Sequence, residues 1–328
     1  MNEWTWPIAR FRHAATKANI GTGVLVAGDV VLTCEHVVRA VLTGSGARPE
    51  IGAAFVIDFP FAGIFDLPAK VAKLFPEIPE SERRQDSAPS DLAVLTLDKP
   101  EMVERIDPCL IAETDPPADT DFSCQGFPAA DPNGDLAEGS VQGRDAGGWI
   151  TVVGKSQFGH FVEPGFSGGP VFAGKGQSVR PGEVIGLCVT ADISGMRVAR
   201  LIPPAQLAAV IRSVDGASPY RWLTYFSQRD VAYFFGRDEL NKELWRQLAD
   251  ERFLLLAGPA GSGKSSLLRA GLMVNAQRAN METLAIRPLA DAKAELVRAL
   301  GLSAGSDDQA IRQEVETRVS RKDRKSVV

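Results

Sequence analysis

The first 200 residues consist of short apolar runs separated by turn-forming residues. Nine runs of four to seven residues are rich in β-branched and aromatic side chains and are bounded by Gly, Pro or Asp, which is typical of strands. These runs are Thr22–Ala27, Val30–Thr33, Ala53–Phe59, Val71–Phe75, Leu92–Leu97, Phe122–Phe127, Trp149–Val153, Pro170–Ala173 and Val184–Thr190. Many short strands at close spacing, with almost no helical periodicity between them, predict an all-β barrel or sandwich.

The pattern changes after residue 200. Residues 204–214 have helical periodicity, and the turn-rich segment 215–219 follows them. Helical and strand-like segments then alternate, which predicts a parallel α/β unit. They are a helix at 239–251, a strand at 252–257, a helix at 265–276, a strand at 282–286 and two final helices. We therefore predict a multidomain chain with a first domain at 1–214, a linker at 215–219 and a second domain at 220–328.

Composition narrows the possible partners. The 328 residues carry a net charge of −5, so the chain lacks the basic excess with which nucleic-acid-binding proteins neutralise phosphates. No apolar run approaches the ~20 residues that span a bilayer, and no basic segment followed by an apolar one resembles a signal peptide. We expect a cytoplasmic protein without nucleic-acid or membrane partners. We also expect four free thiols, because no CxxC pair or metal-ligand spacing occurs among Cys34, Cys109, Cys124 and Cys188.

A serine between glycines is the first candidate for chemistry. In the segment 165–170, GFSGGP, the glycines let the backbone turn tightly, so that the Ser167 hydroxyl is exposed and nearby N–H groups can face an oxyanion. The segment also fits the nucleophile elbow of α/β-hydrolases, in which the catalytic histidine follows the serine. All three histidines, His13, His36 and His160, precede Ser167, so this alternative fails on chain order.

The candidates for the general base and for the carboxylate that would orient it are His36 and Asp91. His36 follows the apolar strand at 30–33, whereas His160 lies only seven residues before Ser167 and His13 lies in a basic N-terminal segment. Asp91 begins the strand-like segment DLAVLTL, where its carboxylate would lie at one end of a barrel. The order His, Asp, Ser along the chain is that of chymotrypsin-like proteases.

Three motifs resemble that family, most closely its bacterial HtrA-type branch. VLTCEHVV at 31–38 is similar to the histidine motif, SDLAVL at 90–95 to the aspartate motif and GFSGGP at 165–170 to the serine motif. EVIGLCVT at 183–190 is similar to the strand that lines the specificity pocket. The resemblance covers residues 10–214 and implies two β-barrels with the active site in the cleft between them.

The resemblance also implies residue roles. Ser167 would be the nucleophile, His36 the base and Asp91 the group that orients the imidazole, with the N–H groups of Gly165 and Ser167 as the oxyanion hole. The substrate pocket would have Phe161 at its floor and Val189, Thr190 and Ala191 along one wall, which favours a small or medium uncharged side chain before the scissile bond. Phe166 departs from secreted members, which have an acidic residue there that receives a new N-terminus after cleavage. Activation by N-terminal processing is therefore not expected.

The second half contains a phosphate-binding loop. Residues 258–265, GPAGSGKS, match G-x-x-x-x-G-K-[ST] and lie between an apolar segment and a predicted helix. Backbone N–H groups around Gly258, Gly261 and Gly263 would surround the phosphates of ATP at a helix N-terminus. Lys264 would bind the β- and γ-phosphates, and Ser265 would be the ligand of Mg²⁺. The expected cofactors are thus ATP and Mg²⁺ for this domain and none for the protease.

Two segments upstream of this loop, PYRWLTYF at 219–226 and FFGRDEL at 234–240, resemble the entry motifs of STAND-type signalling ATPases. In bacteria these often carry an N-terminal effector, sometimes a trypsin-like protease. No apolar strand ending in an acidic residue follows the loop, so we expect only a truncated, N-terminal part of the NTPase domain. If the acidic residue of that strand is already present, Asp291 and Asp307 are the candidates.

The predicted function is a serine endopeptidase effector in bacterial defence signalling, regulated by an ATP-binding switch. It would act on a protein or peptide substrate and self-associate through the NTPase domain. The alternatives are a signalling ATPase whose barrel only binds peptides, and a housekeeping protease with a vestigial nucleotide domain.

Overall fold

The computed structural model describes most of the chain. The described residues are 7–43, 48–85, 87–103, 106, 108–129, 131, 133–154, 161–174, 183–191, 197–213, 226, 231, 234, 236–251, 253–259, 261–279, 281, 283, 286, 292–303 and 305–321. The chain divides into two compact units, residues 1–235 and 236–328, and each is described by itself.

Six antiparallel strands close the first β-barrel of the N-terminal unit. They are β1 (Ile8–Arg12), β2 (Asn19–Ala27), β3 (Val30–Thr33), β4 (Ala54–Phe59), β5 (Ile64–Phe75) and β6 (Leu92–Leu97). The order around the barrel is β1-β2-β3-β6-β5-β4, so β3 pairs with β6 although they are distant in sequence. The short helix α1 (Glu35–Thr43) begins two residues after β3 ends. Closure removes the free edges at which an open sheet would pair with other chains.

A second barrel follows in the same unit. Its strands are β7 (Leu110–Ile111), β8 (Asp121–Gly126), β9 (Asp135–Arg144), β10 (Ile150–Gly154), β11 (Pro170–Ala173), β12 (Glu183–Ala191) and β13 (Val198–Ile202). The order β11-β8-β9-β10-β13-β12 is closed by pairing of β11 with β12, and β7 adds a short parallel pairing to β12. Helix α2 (Pro204–Arg212) follows β13. The expected double barrel is confirmed.

Each barrel has an apolar interior because alternate strand positions face inward. The largest fully buried side chains include Phe11, Phe59 and Leu25 in the first barrel and Phe122 and Phe166 in the second. The nine predicted strands are present with ends shifted by up to three residues, except that the segment at 71–75 is the second half of the twelve-residue β5. Strands β1, β7, β9 and β13 were not predicted, because polar side chains interrupt their apolar positions or because they are only two residues long.

The C-terminal unit is helical in its described residues. It contains α3 (Asp238–Glu251), α4 (Lys264–Ser266), a π-helical turn (Leu267–Leu272), α5 (Met273–Arg278), α6 (Ala292–Ala299) and α7 (Asp308–Arg321). Helix α4, the π-helical turn and α5 follow one another without a break and correspond to the single helix predicted at 265–276. Asp307 immediately precedes α7, and its carboxylate accepts a hydrogen bond from Ala310 N at 2.8 Å.

The two strands predicted for this unit are wrong as far as they are described. Residues 253–257 have no strand pairing, and Phe253 and Leu255 are 73% and 77% exposed. An apolar segment becomes a strand only when another strand satisfies its backbone and covers its side chains, and the described residues supply no such neighbour. Of the segment 282–286, residues 283 and 286 are in no strand, and the others lie outside the described residues.

Two other predictions fall on residues that the structure does not describe. The linker at 215–219 and Asp291 lie outside the described residues.

No helix in the described ranges combines the length and the apolar character that a membrane span requires.

Candidate active site

The barrel topology brings His36 and Asp91 to the same place. His36 is the second residue of α1, just beyond the end of β3, and Asp91 immediately precedes β6. Since β3 and β6 are antiparallel, with Thr33 opposite Ala93, the end of one strand adjoins the beginning of the other. A histidine and an aspartate 55 residues apart in sequence thereby become neighbours.

The Asp91 carboxylate binds His36 twice. Its Oδ2 lies 2.6 Å from His36 Nδ1, and its Oδ1 accepts a hydrogen bond from the His36 backbone N–H at 3.0 Å. The Asp91 side chain is 5% exposed and that of His36 is 39% exposed. This anchors one edge of the imidazole in protein, while Nε2 makes no hydrogen bond to any described residue. The carboxylate at the first turn of α1 also interacts favourably with the helix dipole.

The loop around Ser167 is held by backbone hydrogen bonds and by two glycines with positive φ. Gly168 N donates to Cys188 O at 2.7 Å, and Gly169 N donates to Phe166 O at 2.7 Å. Gly165 and Gly168 have φ of 108° and 80°, which side chains other than hydrogen rarely allow. A Cβ at Gly168 would lie 2.1 Å from the Thr22 carbonyl oxygen, so the loop packs directly against the first barrel.

The Ser167 hydroxyl does not bond to His36 in this structure. Its Oγ donates to the carbonyl oxygen of Val189, in β12, at 3.1 Å. The structure thus brings His36 and Asp91 into contact, whereas the Ser167 hydroxyl is bonded to the Val189 carbonyl oxygen and not to His36. Rotation between staggered χ1 rotamers redirects a serine hydroxyl without backbone movement, and hydrogen bonds of this kind often tighten only when substrate is bound.

Two backbone donors, the N–H groups of Gly165 and of Ser167 itself, have no hydrogen-bond partner in the described part of the chain. The N–H groups of Gly165 and Ser167 donate to no acceptor among the described residues, although both carbonyl groups accept hydrogen bonds. Both residues were predicted as an oxyanion hole. Such donors stabilise a negatively charged oxygen when they are held in place before the reaction.

The predicted substrate pocket is described only in part. Phe161 is buried, and a Cβ at Gly154 would lie 2.7 Å from its ring, so the ring packs on the end of β10. Val189 is buried in β12, and the side chains of Thr190 and Ala191 lie outside the described residues. The guanidinium carbon of Arg197 lies 5.3 Å from the centre of the Phe161 ring. The sequence analysis missed this neighbour, because no local motif links β13 to the segment before Ser167.

Cys34 lies near the histidine but has the properties of a core residue. It is fully buried, and its Sγ donates to Cys188 O at 3.3 Å. Burial and, secondly, the negative charge of Asp91 raise the pKa of the Cys34 thiol well above its ordinary value. Ligand atoms of Cys34, His36 and Asp91 lie within 4.8 Å of one another. Because metals bind the thiolate, and burial disfavours that form, this group is poorly suited to hold a metal ion.

The glycine-rich loop of the C-terminal unit has an open concave shape. Gly261 and Gly263 have φ of 79° and 85°, and a Cβ at either would meet no atom within 4 Å. Lys264 Nζ donates to the carbonyl oxygens of Gly258 and Pro259 at 2.8 and 2.7 Å, and Ser265 is exposed at the start of the helix. A cavity of about 230 Å³ adjoins the loop, lined by Arg237, Leu240, Leu244, Leu256, Ala257, Ser262, Gly263, Lys264 and Leu267. A cationic amine, an exposed hydroxyl and open glycines fit a magnesium–nucleotide complex.

Comparison with known families decides the classification. The model of the trypsin-like peptidase domain matches residues 21–187, half of the chain. The chain belongs to the trypsin-like peptidase domain family. Residues 219–327 match the model of the novel STAND NTPase 1, so the fusion of the two domains that the sequence predicted is confirmed.

The solved structures that are similar to this chain include two bacterial proteases. The active form of the Rv3671c protease from M. tuberculosis has 18% identity and a TM-score of 0.43, over 66% of this chain and 84% of that chain. The serine endoprotease from Yersinia pestis has 14% identity and a TM-score of 0.44, over 65% of this chain and 64% of that chain. No curated protein sequence matches the trypsin-like peptidase described here.

Proposed function

We propose that the N-terminal unit is a serine endopeptidase whose triad is His36, Asp91 and Ser167. The observation that carries the proposal is the 2.6 Å contact between His36 Nδ1 and Asp91 Oδ2, because it fixes the imidazole with its second nitrogen unbonded. A histidine held in this way by a buried carboxylate can accept a proton on Nε2 and remain oriented as it becomes positively charged. The free N–H groups of Gly165 and Ser167 supply the complementary site for the developing oxyanion.

The reaction would proceed in two halves. Ser167 Oγ leaves the Val189 carbonyl, gives its proton to His36 Nε2 and attacks the carbonyl carbon of the peptide. The carbonyl oxygen becomes an oxyanion and accepts hydrogen bonds from Gly165 and Ser167. His36 then gives the proton to the amine nitrogen, the C–N bond breaks, the amine departs and the acyl group remains as an ester on Ser167 Oγ. A water molecule hydrolyses this ester by the same steps, with Oγ as the leaving group.

Covalent labelling tests this proposal. A fluorophosphonate probe should modify Ser167, and Ser167→Ala should abolish labelling and lower kcat for a peptide substrate by about 10⁶-fold. Peptide mapping of the labelled residue and thermal unfolding of both proteins are the measurements. Labelling at Cys34, or a folded chain that binds peptides without being labelled, would instead support the alternative of a non-catalytic peptide-binding barrel.

We further propose that residues 220–328 belong to an NTPase domain that binds ATP with Mg²⁺ and regulates the protease. The supports are the match to the STAND NTPase model and the open loop with Lys264 beside a cavity of about 230 Å³. Bound Mg²⁺ would neutralise phosphate charge. Lys264 would bind the β- and γ-phosphates, Ser265 would be the protein ligand of the ion, and Gly258, Gly261 and Gly263 would surround the phosphates. Self-association through this domain would be the route by which nucleotide controls proteolysis.

A further inference from the structure

Thr22 is a polar residue at a position where an apolar one would be expected. It lies in β2, where seven consecutive positions, 21–27, are buried, and its own exposure is 0%. A hydroxyl group buried without a hydrogen-bond partner is unfavourable, so a threonine at such a position must have a partner. The hydrogen-bond partners of the Thr22 hydroxyl lie in the part of the chain that forms the second barrel.

The Thr22 hydroxyl binds the loop that carries the proposed oxyanion hole. Its Oγ1 donates to the carbonyl oxygen of Gly165 at 2.7 Å and accepts a hydrogen bond from Phe127 N at 3.1 Å. Phe127 N also lies 3.2 Å from the Gly165 oxygen, so the three groups form one small network. The hydroxyl therefore uses its donor and an acceptor, and it does so at one of the two residues whose N–H groups are free.

The backbone of Thr22 holds the other of these two residues. Thr22 N donates to Ser167 O at 2.8 Å, and Thr22 O accepts a hydrogen bond from Thr33 Oγ1 at 2.6 Å. Thr33 ends β3, three residues before His36. A continuous set of hydrogen bonds thus joins the strand that leads to the histidine with both residues of the proposed oxyanion hole.

We infer that the Thr22 hydroxyl is a positioning group for the oxyanion hole, an inference that rests on the proposed peptidase function. Glycine is the residue type with the greatest backbone freedom, because it has no side chain to restrict φ and ψ. Gly165 has a φ of 108°, which other residues rarely adopt. Fixing its carbonyl group limits rotation of the residue and so keeps its N–H directed at the oxyanion site. Donors held in advance of the reaction stabilise the transition state more than the bound substrate.

Two substitutions of Thr22 separate the hydroxyl from the shape of the side chain. Thr22→Val keeps the volume and the backbone hydrogen bonds but removes the hydroxyl, whereas Thr22→Ser keeps the hydroxyl. Thr96→Val is the control for the same substitution in the same barrel, because Thr96 lies in β6, is half-buried and makes no hydrogen bond to Gly165 or Ser167. Fluorophosphonate titration of each protein gives the concentration of competent sites, so that kcat is expressed per active site.

We expect Thr22→Val to lower kcat for a peptide substrate by about 10- to 100-fold, because small misplacements of catalytic groups have effects of this size. KM should stay within about twofold, and the shape of the pH–rate profile should not change, since binding and the histidine are not altered. A peptide aldehyde, whose adduct carries an oxyanion, should lose affinity for Thr22→Val. Thr22→Ser and Thr96→Val should match the wild type in all of these measurements.

The result that overturns the inference is wild-type kcat per titrated site in Thr22→Val, even with a lower unfolding temperature, because that would show a purely structural role. Equal losses in Thr22→Val and Thr22→Ser would also overturn it. Failure of the proposed function is a different outcome, in which the wild-type chain itself is neither labelled at Ser167 nor active.

Discussion

At the scale of single residues, Asp91 combines two functions in one carboxylate. One oxygen contacts the His36 ring and the other accepts the His36 backbone N–H, so the same group orients the imidazole and begins helix α1. Asp91 itself has φ of 53°, a left-handed conformation that Asp and Asn adopt more readily than other side chains. The residue type suits both the chemistry proposed for it and the turn in which it lies.

The buried cysteines predict a dependence of stability on alkaline pH. Burial raises the pKa of the Cys109 thiol above its ordinary value of 9.0. Above about pH 9 the unfolded chain releases this proton while the folded chain retains it, so the free energy of unfolding falls as the pH rises. The contribution of one such thiol is about 1.4 kcal/mol per pH unit.

We expect Cys109→Ala to reduce this dependence by about that slope, although the cavity it creates lowers stability at neutral pH. Urea unfolding of reduced protein at about pH 8 and about pH 10 gives the two free energies that are compared. Parallel pH dependence in the wild type and the variant would show that Cys109 ionises equally in both states, against the prediction.

At the scale of elements, the loop at 165–169 is shaped by the space that the first barrel leaves for it. Gly168 has φ of 80°, and a Cβ there would lie 2.1 Å from Thr22 O and 2.4 Å from Thr33 Oγ1. We expect Gly168→Ala to lower the unfolding temperature and to abolish fluorophosphonate labelling, because the loop must move away from the barrel. The conformational term alone costs about 1–2 kcal/mol.

The control for this prediction is Gly28→Ala. A Cβ at Gly28 would meet no atom within 4 Å, and its φ is not positive, so the effect should stay within about 0.5 kcal/mol. Thermal unfolding and the labelling rate are measured for both variants. Normal labelling of Gly168→Ala would contradict the close packing of the loop on the barrel.

Another element joins the two barrels through a buried arginine. Arg83, between β5 and β6, is 3% exposed, donates from Nε to Gly147 O at 3.1 Å and stacks at 3.7 Å on the Trp149 ring. Burial lowers the pKa of its guanidinium, and its two terminal nitrogens have no hydrogen-bond partner among the residues that the structure describes. The stacked ring and the single hydrogen bond hold the segment that leads into Asp91 against the β9–β10 turn.

At the scale of the whole molecule, the proposed link between nucleotide and protease depends on Lys264. Its ammonium group bonds to Gly258 O, Pro259 O and Ser262 Oγ and would exchange these for phosphate oxygens when ATP binds. We expect Lys264→Ala to weaken the binding of a fluorescent ATP analogue at least about tenfold, since it removes a charge-assisted contact. Ser167→Ala should bind the analogue as the wild type does.

The wild type and Lys264→Ala also test whether nucleotide regulates the protease. If nucleotide controls the protease, ATP with Mg²⁺ should change the rate of fluorophosphonate labelling in the wild type but not in Lys264→Ala. An unchanged rate in both proteins, with nucleotide bound to the wild type, would favour a protease that works independently of its attached domain.

The sequence by itself determined the β-rich character of the first 200 residues, the likeness of three motifs to a known protease family and the presence of the glycine-rich G-x-x-x-x-G-K-[ST] motif. Local patterns were sufficient for these because turn residues, apolar runs and glycine spacing act over only a few positions. The pairing of His36 with Asp91 was implied by the resemblance of their two motifs to that family, and the structure contains the contact.

Only the tertiary structure decided which groups meet across the two barrels. Thr22 gives no signal in sequence, because its significance lies in a hydroxyl that reaches Gly165, 143 residues away. Within the second barrel, the hydrogen bond from Ser167 to Val189 and the contact of Arg197 with Phe161 likewise depend on how the strands pack. The segment at 253–257 illustrates the converse: its apolar residues predicted a strand, but strand formation requires a neighbour, and sequence pattern alone cannot provide one.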